Sequence, residues 1–128
     1  MRKVNCPYCK KDAELVNGER IYPHRPDLFA KMFWLCEPCN AYVGTHSNSD
    51  NNKPLGRLAN ADLRRAKTAA HAAFDPLWKE GYMSRTKAYA WLARRLHIHI
   101  QKCHIGMFDL DTCYRVIRHA KQRLKDRE

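Results

Sequence analysis

The second half of the chain carries three stripes of apolar residues at the spacing of amphipathic helices. The first stripe contains Leu63, Ala66, Ala70, Ala73, Phe74 and Leu77. The second contains Ala88, Trp91, Leu92 and Leu96, and the third contains Cys113, Val116, Ile117, Ala120 and Leu124. Asn60 and Ser84 stand where the N-caps of the first two helices are expected, and Asp109 or Asp111 can cap the third. The pattern predicts a small bundle of about three helices.

The N-terminal third has short apolar runs separated by turn residues, which is typical of strands. Residues 13–16 and 19–22 flank Asn17-Gly18. This dipeptide is the one most favoured in a two-residue type I′ turn, so we expect a β-hairpin at this place. Two further strands are predicted over residues 33–35 and 41–44.

Two C-x-x-C pairs, Cys6/Cys9 and Cys36/Cys39, are the strongest chemical signal in the sequence. Four thiolates complete a tetrahedral shell around Zn²⁺ and leave no open position, so the pattern predicts one structural zinc ion. The alternatives are a disulfide framework, a thioredoxin-like redox site and an iron–sulfur cluster. No apolar leader follows Met1, which favours reduced thiols, and a redox site uses one C-x-x-C in a βαβ unit.

Together these patterns predict an α+β protein in which an N-terminal four-cysteine zinc ribbon is followed by a small basic helical bundle. The predicted boundaries are residues 1–44 for the ribbon, 45–56 for a polar linker or long loop, and 57–128 for the helical domain. A ribbon of this size has little core, so metal binding is expected to supply much of its folding free energy. Four aromatic residues are expected to pack around its sheet, with stacking on bases as the alternative for one or two of them. They are Tyr22, Phe33, Trp34 and Tyr42.

The chain carries 24 Lys+Arg against 13 Asp+Glu, a formal net charge of +11, and the excess is concentrated in one part. Residues 1–56 hold 8 basic and 6 acidic side chains, whereas residues 57–128 hold 16 and 7. A positive charge this high is common in proteins that neutralise phosphates, and the planar fork of arginine suits phosphate groups. The alternative for any single residue is a solvated surface position. The candidate nucleic-acid-binding residues are Arg57, Arg64, Arg65, Arg85, Arg94, Arg95, Arg115 and Arg118.

Known catalytic motifs are missing from the sequence, which contains no Gly-rich phosphate loop, no H-E-x-x-H and no Ser/His/Asp arrangement. A second metal site would draw on His97, His99, Cys103 and His104, whose spacing matches no recognised metal motif. Cys113 lies on an apolar stripe, where a reduced cysteine behaves as a small hydrophobe. A nuclease using histidine with Asp109 or Asp111 is the enzymatic alternative, but both aspartates suit helix caps better. We therefore expect no enzyme activity.

Six segments spread over nearly the whole chain carry a further signal. They are C-P-Y-C-K, C-E-P-C-N-A-Y-V-G, I-Y-P-H-R-P-D-L, P-L-G-R-L-A-N-A-D-L-R-R-A, A-A-H-A-A-F-D-P-L-W and C-H-I-G-M-F-D-L-D-T-C. In combination they resemble a family of short zinc-finger-containing proteins from bacteria, phages and prophages, a domain of unknown function. The resemblance implies that Cys6, Cys9, Cys36 and Cys39 bind zinc, and it implies little about activity.

The sequence thus predicts a zinc-stabilised, non-catalytic protein that binds duplex or single-stranded nucleic acid mainly through the phosphate backbone. The alternative is a phage-type protein-interaction module that binds and modulates a host enzyme through an acidic surface of that enzyme. No apolar run is long enough to cross a bilayer, so we expect a cytoplasmic protein with no membrane partner. The link from Leu96 to Asp109 is long for a helix-turn-helix, so sequence-specific readout is not expected.

Overall fold

The computed structural model describes residues 2–47 and 51–126. The chain divides into two compact units, Met1–Ala61, which we call unit 1, and Asp62–Glu128, which we call unit 2. Within the described residues, unit 1 contains a three-stranded sheet and unit 2 contains helices, so the predicted α+β class is confirmed. No helix in this described part of the chain is both long and apolar enough to span a membrane.

Unit 1 is built on an antiparallel sheet with the strand order β1-β2-β3. β1 (Glu14–Asn17) pairs with β2 (Met32–Cys36), and β2 pairs with β3 (Ala41–Gly44). Between β1 and β2 the chain forms a one-turn helix, α1 (Gly18–Ile21), and a 3₁₀ turn at Pro26–Leu28. The second and third strands lie where the sequence predicts them.

Two small apolar clusters form around this sheet because successive residues of β2 point to opposite faces. Phe33 and Leu35 pack in one cluster with Val16. Trp34 and Cys36 pack in the other. The remaining buried members of that second cluster are Cys6, Ala41 and Leu58. Neither cluster is large, so the sheet has little apolar burial to hold it together.

The hairpin predicted at Asn17-Gly18 is wrong. Asn17 instead caps α1: its Oδ1 accepts hydrogen bonds from the backbone amides of Glu19 at 3.1 Å and Arg20 at 3.4 Å. A glycine is required at position 18 because there is no room for a side chain: a Cβ here would lie 1.7 Å from the carbonyl oxygen of Leu28. The segment 19–22, predicted as a strand, is therefore helical, and the strand partner of β1 is β2.

The polar segment after β3 folds back along the sheet. The amide of His46 donates to the carbonyl of Lys53, and the amide of Leu55 donates to the carbonyl of Gly44, both at 2.9 Å. Ala59 then bridges to Tyr42 in antiparallel fashion. Because of these bonds unit 1 continues to Ala61, beyond the ribbon boundary predicted at residue 44. Residues 48–50 of the predicted 45–56 linker lie outside the described residues.

The C-terminal part of the chain is helical, with α2 (Ala61–Phe74), α3 (Pro76–Lys79), α4 (Arg85–Leu96) and α5 (Leu110–Lys125). Apart from Ala93, the buried residues of the three long helices lie on the predicted stripes. They are Leu63, Ala66, Ala70 and Phe74 in α2, Ala88, Leu92, Ala93 and Leu96 in α4, and Cys113, Val116 and Ala120 in α5. The prediction of three amphipathic helices is confirmed.

The ends of α4 and α5 are set by side-chain caps. Ser84 Oγ accepts from the amide of Lys87 at 3.1 Å, and Asp109 Oδ1 accepts from the amide of Thr112 at 2.9 Å. His97 closes α4 in the left-handed conformation, with φ 57°. Between α4 and α5 lie two 3₁₀ turns, Ile100–Lys102 and Ile105–Met107. This 13-residue connection positions the start of α5 after the end of α4 without the tight turn of a helix-turn-helix.

Candidate metal centre and basic surface

The four cysteines of the two C-x-x-C pairs are presented by two turns of unit 1. Cys6 and Cys9 lie in the turn before β1, Cys36 ends β2, and Cys39 lies in the turn that leads into β3. In each turn the residue after the second cysteine is left-handed: Lys10 has φ 68° and Asn40 has φ 50°. A left-handed residue reverses the backbone sharply, which lets both cysteines of a pair face the same point.

The geometry of the four sulfurs fits a tetrahedral zinc ion. All four Sγ atoms lie within 4.8 Å of one another, and the Sγ atoms of Cys9 and Cys36 are 3.6 Å apart. Zn–S bonds of about 2.3 Å at tetrahedral angles require sulfur–sulfur distances of about 3.8 Å. The described residues therefore support the predicted cofactor, one structural zinc held by Cys6, Cys9, Cys36 and Cys39.

The cysteines of this cluster differ in pKa. The backbone amide of Lys11 donates to Cys9, and mainly for this reason the pKa of Cys9 falls to about 7. Burial raises the pKa of Cys36, and it raises the pKa of Cys39 to about 12. Because zinc ligates thiolates, Zn²⁺ binding would release the protons that remain on these thiols.

The sulfurs lie beside an apolar cluster that covers them unequally: Cys6 and Cys36 are buried, and Cys9 and Cys39 are half-buried. Cys6 is fully buried, and Trp34 and Leu58 pack against the same cluster. Trp34 is fixed by a 2.7 Å hydrogen bond from its Nε1 to the carbonyl of Asn52. A four-sulfur shell in such surroundings has no open position for water or substrate, so its contribution is to the folding of unit 1.

The second group of histidines and cysteines forms no metal site in the described residues. Outside the four-cysteine cluster, no three His, Cys, Asp or Glu side chains of residues 2–47 and 51–126 converge at ligand distance. His99 Nδ1 accepts from the amide of Gln101 at 3.1 Å and so caps a 3₁₀ turn. Burial raises the pKa of Cys103 to about 11, which makes it an unreactive thiol, and Cys113 is buried in its stripe as predicted.

The candidate arginines fall into groups with different surroundings. Arg57 lies in unit 1, and its buried Nε has no hydrogen-bond partner among the described residues. Arg64 is half-buried, and Arg65 forms an ion pair with Asp62. These three residues therefore differ in burial and pairing from the arginines of α4 and α5.

The arginines of α4 and α5 are oriented by aromatic rings and helix ends. The Arg85 guanidinium lies 5.6 Å from the ring centroid of Trp78 and 4.8 Å from that of Tyr89. Arg95 lies 5.9 Å from the Trp91 ring, and Arg94 beside it is exposed. These contacts hold the guanidinium groups and leave their charge unneutralised.

Several of these positive charges lie near His119. Its pKa is lowered, first by burial and then by the positive charges of Arg118, Arg115, Arg95 and His97. Arg115 also donates from Nη2 to the carbonyl of Leu96 at 3.4 Å, which ties α5 to the end of α4. We call Arg95, His97, Arg115, Arg118 and His119 the α4–α5 basic cluster. Sequence reasoning did not place His119 with the arginines, although its i,i+4 spacing from Arg115 was a usable signal.

Comparison with known proteins gives one match. A family model described as a zinc-finger-containing domain matches residues 2–123. No curated protein and no solved structure matches the chain. The matched residues include the four sulfurs and the helices of unit 2, so the match agrees with the zinc centre described above. The chain therefore belongs to the zinc-finger-containing domain family DUF3268.

Proposed function

We propose that this protein is a zinc-stabilised, non-catalytic nucleic-acid-binding protein that contacts the phosphate backbone through unit 2. The observation that carries the proposal is the α4–α5 basic cluster, in which the charges of Arg95, Arg115 and Arg118 lie close enough to His119 to lower its pKa, and the Arg115 guanidinium reaches the end of α4. Such a cluster is costly by itself because like charges repel. Binding of phosphate groups would remove that cost.

The charges of this surface are not neutralised internally. The described residues of unit 2 contain 14 Lys+Arg and 6 Asp+Glu. Among these described residues the ion pairs of α2 and α3 involve Asp62 and Asp75, and no carboxylate pairs with an arginine of α4 or α5. The arginines of α4 and α5 left without a carboxylate partner there are Arg85, Arg94, Arg95, Arg115, Arg118 and Arg123.

Phosphate contacts of this kind position a protein on nucleic acid without reading the bases. Guanidinium groups bind phosphate oxygens in a bidentate way, and aromatic neighbours such as Trp91 orient them beforehand. The zinc centre would contribute by keeping unit 1 folded, since a closed four-sulfur shell activates no water. Asp109 caps α5, and Asp111, the other aspartate of the nuclease alternative, lies exposed in the first turn of that helix.

A matched pair of charge reversals tests the proposal. Arg95→Glu with Arg118→Glu changes the charge by the same amount as Lys3→Glu with Lys11→Glu in unit 1, where both lysines are exposed. Charge-assisted hydrogen bonds are worth about 1.5–3 kcal/mol each, so the first pair should weaken duplex binding on the order of tenfold or more. The second pair should change it little. Equal losses from both pairs would show that net charge alone matters and would contradict the assignment to α4 and α5.

A protein-interaction module is the second candidate function, and one surface feature favours it. Met107, Leu110 and Tyr114 expose 54%, 37% and 55% of their surface; Met107 ends the 3₁₀ turn before α5, and Leu110 and Tyr114 share one face at the start of α5. Exposed apolar side chains beside a positive surface suit a partner with an acidic rim. Partners that are retained by the protein after nuclease digestion, and lost in Tyr114→Ala, would favour this second function.

A further inference from the structure

Unit 1 contains a cavity that the zinc centre does not use. Its volume is ≈ 550 Å³, and its wall is formed by the start of β2, the end of β3 and residues from the segment between α1 and β2. Small-molecule sites in proteins have volumes of about 300–1,000 Å³. The cavity is therefore large enough for one nucleotide-sized ligand and too small for a base pair with its neighbours.

Apolar and aromatic side chains form much of the cavity wall. Tyr22 and Phe33 meet edge to face with ring centroids 5.8 Å apart, and both line the cavity. Leu55 is another lining residue and exposes 55% of its surface, which is unusual for a large aliphatic side chain. Covering this wall with the flat face of a ligand would remove apolar surface from water.

Gly44 creates part of the free space. A Cβ at this lining position would lie 3.3 Å from Leu55 Cδ1 and 3.6 Å from Phe33 Cε1. Its backbone is ordinary extended strand, so the missing side chain is not explained by conformation. Replacement of Gly44 by a β-branched residue suits a strand and would fill this part of the cavity.

The charged residues of the cavity wall are cationic. Arg25, Lys31 and His46 line it, and none of its described lining residues is an aspartate or glutamate. Arg25 is bound in a bidentate way by Asp27, at 3.0 and 2.8 Å. Lys31 is exposed, and its charge also lowers the pKa of Asp27, although the ion pair found for Asp27 in the described residues is with Arg25. The chemistry of the cavity thus suits a ligand with a planar apolar part and a negative charge.

We propose that this cavity binds one unstacked nucleotide of a single-stranded nucleic acid, with the base against the half-buried Tyr22 and the exposed Leu55 and a phosphate at Lys31. The inference rests on the proposed nucleic-acid binding. It adds that unit 1 prefers a single strand to a duplex. Bases in a duplex are paired and stacked, so only a single strand can place one in such a cavity.

The test uses the zinc-loaded full chain and measures fluorescence anisotropy. The ligands are a labelled single strand of about 12 nucleotides, an abasic strand of the same length, and the duplex. Gly44→Val should weaken single-strand binding about tenfold and leave duplex binding unchanged, because base–aromatic stacking contributes an effect of this order. Lys31→Glu should make the salt dependence for the single strand shallower by about 0.7, the effect of one phosphate contact. Lys11→Glu, which removes an exposed charge elsewhere in unit 1, is the matched control.

Several results would overturn the proposal. They are unchanged single-strand affinity in Gly44→Val, an unchanged single-strand salt dependence in Lys31→Glu, equal losses for strand and duplex, or equal affinity for the normal and abasic strands. A free mononucleotide or an acidic peptide that displaces the strand completely at micromolar concentration would assign the cavity to that ligand instead. If the unsubstituted protein binds neither strand nor duplex, the proposed function fails as well. If it binds both and Gly44→Val has no effect, the cavity assignment alone fails.

Discussion

Replacement of a zinc ligand by alanine should unfold unit 1 and spare the helices of unit 2. Cys36 is the informative position because its side chain belongs both to the four-sulfur cluster and to the apolar cluster around Trp34. Cys36→Ala removes one sulfur and leaves three thiols that cannot close a tetrahedral shell. The matched control is Cys113→Ala, which deletes the same atom from a fully buried position. Among the described residues, Cys113 belongs to no group of side chains that converge at metal-ligand distance.

The magnitude follows from what holds unit 1 together. A structural zinc site contributes an apparent binding free energy of about 10–16 kcal/mol in small zinc domains at neutral pH. Whole domains are stable by only about 5–15 kcal/mol. The two apolar clusters described at the sheet of unit 1 are small, so we expect most of its stability to come from the metal. Weakening the zinc site should therefore unfold unit 1. Cys113→Ala, by contrast, loses only the packing of one small side chain, which should lower the free energy of unfolding by about 1–2 kcal/mol.

Three measurements read out this prediction. Zinc content per chain should fall from one to near zero in Cys36→Ala when a competing chelator is present, and should stay at one in Cys113→Ala. Circular dichroism at the helix band should change little, because α2, α4 and α5 contain 14, 12 and 16 residues and α1 only four. Tryptophan fluorescence should report the exposure of Trp34. Cys36→Ala protein that keeps one zinc with unchanged affinity would refute the reasoning.

Three further predictions concern unit stability and pH. Gly18→Ala should destabilise unit 1 by about 1–3 kcal/mol, measured by urea unfolding, because the new Cβ would overlap the Leu28 carbonyl; an unchanged midpoint would contradict the crowding argument. Ser84→Ala should cost about 1 kcal/mol in unit 2 by loss of the α4 cap, and Ser84→Asp should restore it. His119, whose pKa is lowered, contributes stability that is present above the ordinary histidine pKa of about 6.5 and is lost as pH falls through its lower native value. The measurement is the unfolding midpoint at pH 7.5 and at pH 5. The change between the two pH values should be larger in the unsubstituted protein than in His119→Gln.

The helices and the zinc ligands were predictable because their signals are local. Period and capping residues are read along the chain, so Ser84 and Asp109 identified the starts of α4 and α5. The two C-x-x-C pairs identify their ligand chemistry by residue type and spacing, whatever the path of the chain between them.

The hairpin could not be predicted correctly because its decisive contact is distant in sequence. Asn17-Gly18 suits a type I′ turn, and it also suits an N-cap followed by a residue without a side chain. The carbonyl of Leu28 selects the second arrangement. In the same way, the polar composition of residues 45–54 does not reveal that Ala59 bridges back to Tyr42.

The basic surface was only partly predictable. Composition identified the arginine-rich region, but the convergence of Arg95 with Arg118 and His119 depends on how α4 packs on α5. Helix packing is set by side-chain shape across the interface, and no sequence period encodes it. The cavity beside Gly44 was missed for a similar reason, since its walls come from segments far apart in the chain.

The salt dependence of duplex binding tests the proposed function most directly. If the basic helical face of unit 2 neutralises about 3–6 phosphates, a plot of log K against log salt should have a slope of roughly −3 to −5. In Arg95→Glu with Arg118→Glu the slope should be shallower by about 2, since two phosphate contacts are lost. No binding at low salt, or the same slope in both proteins, would contradict the account.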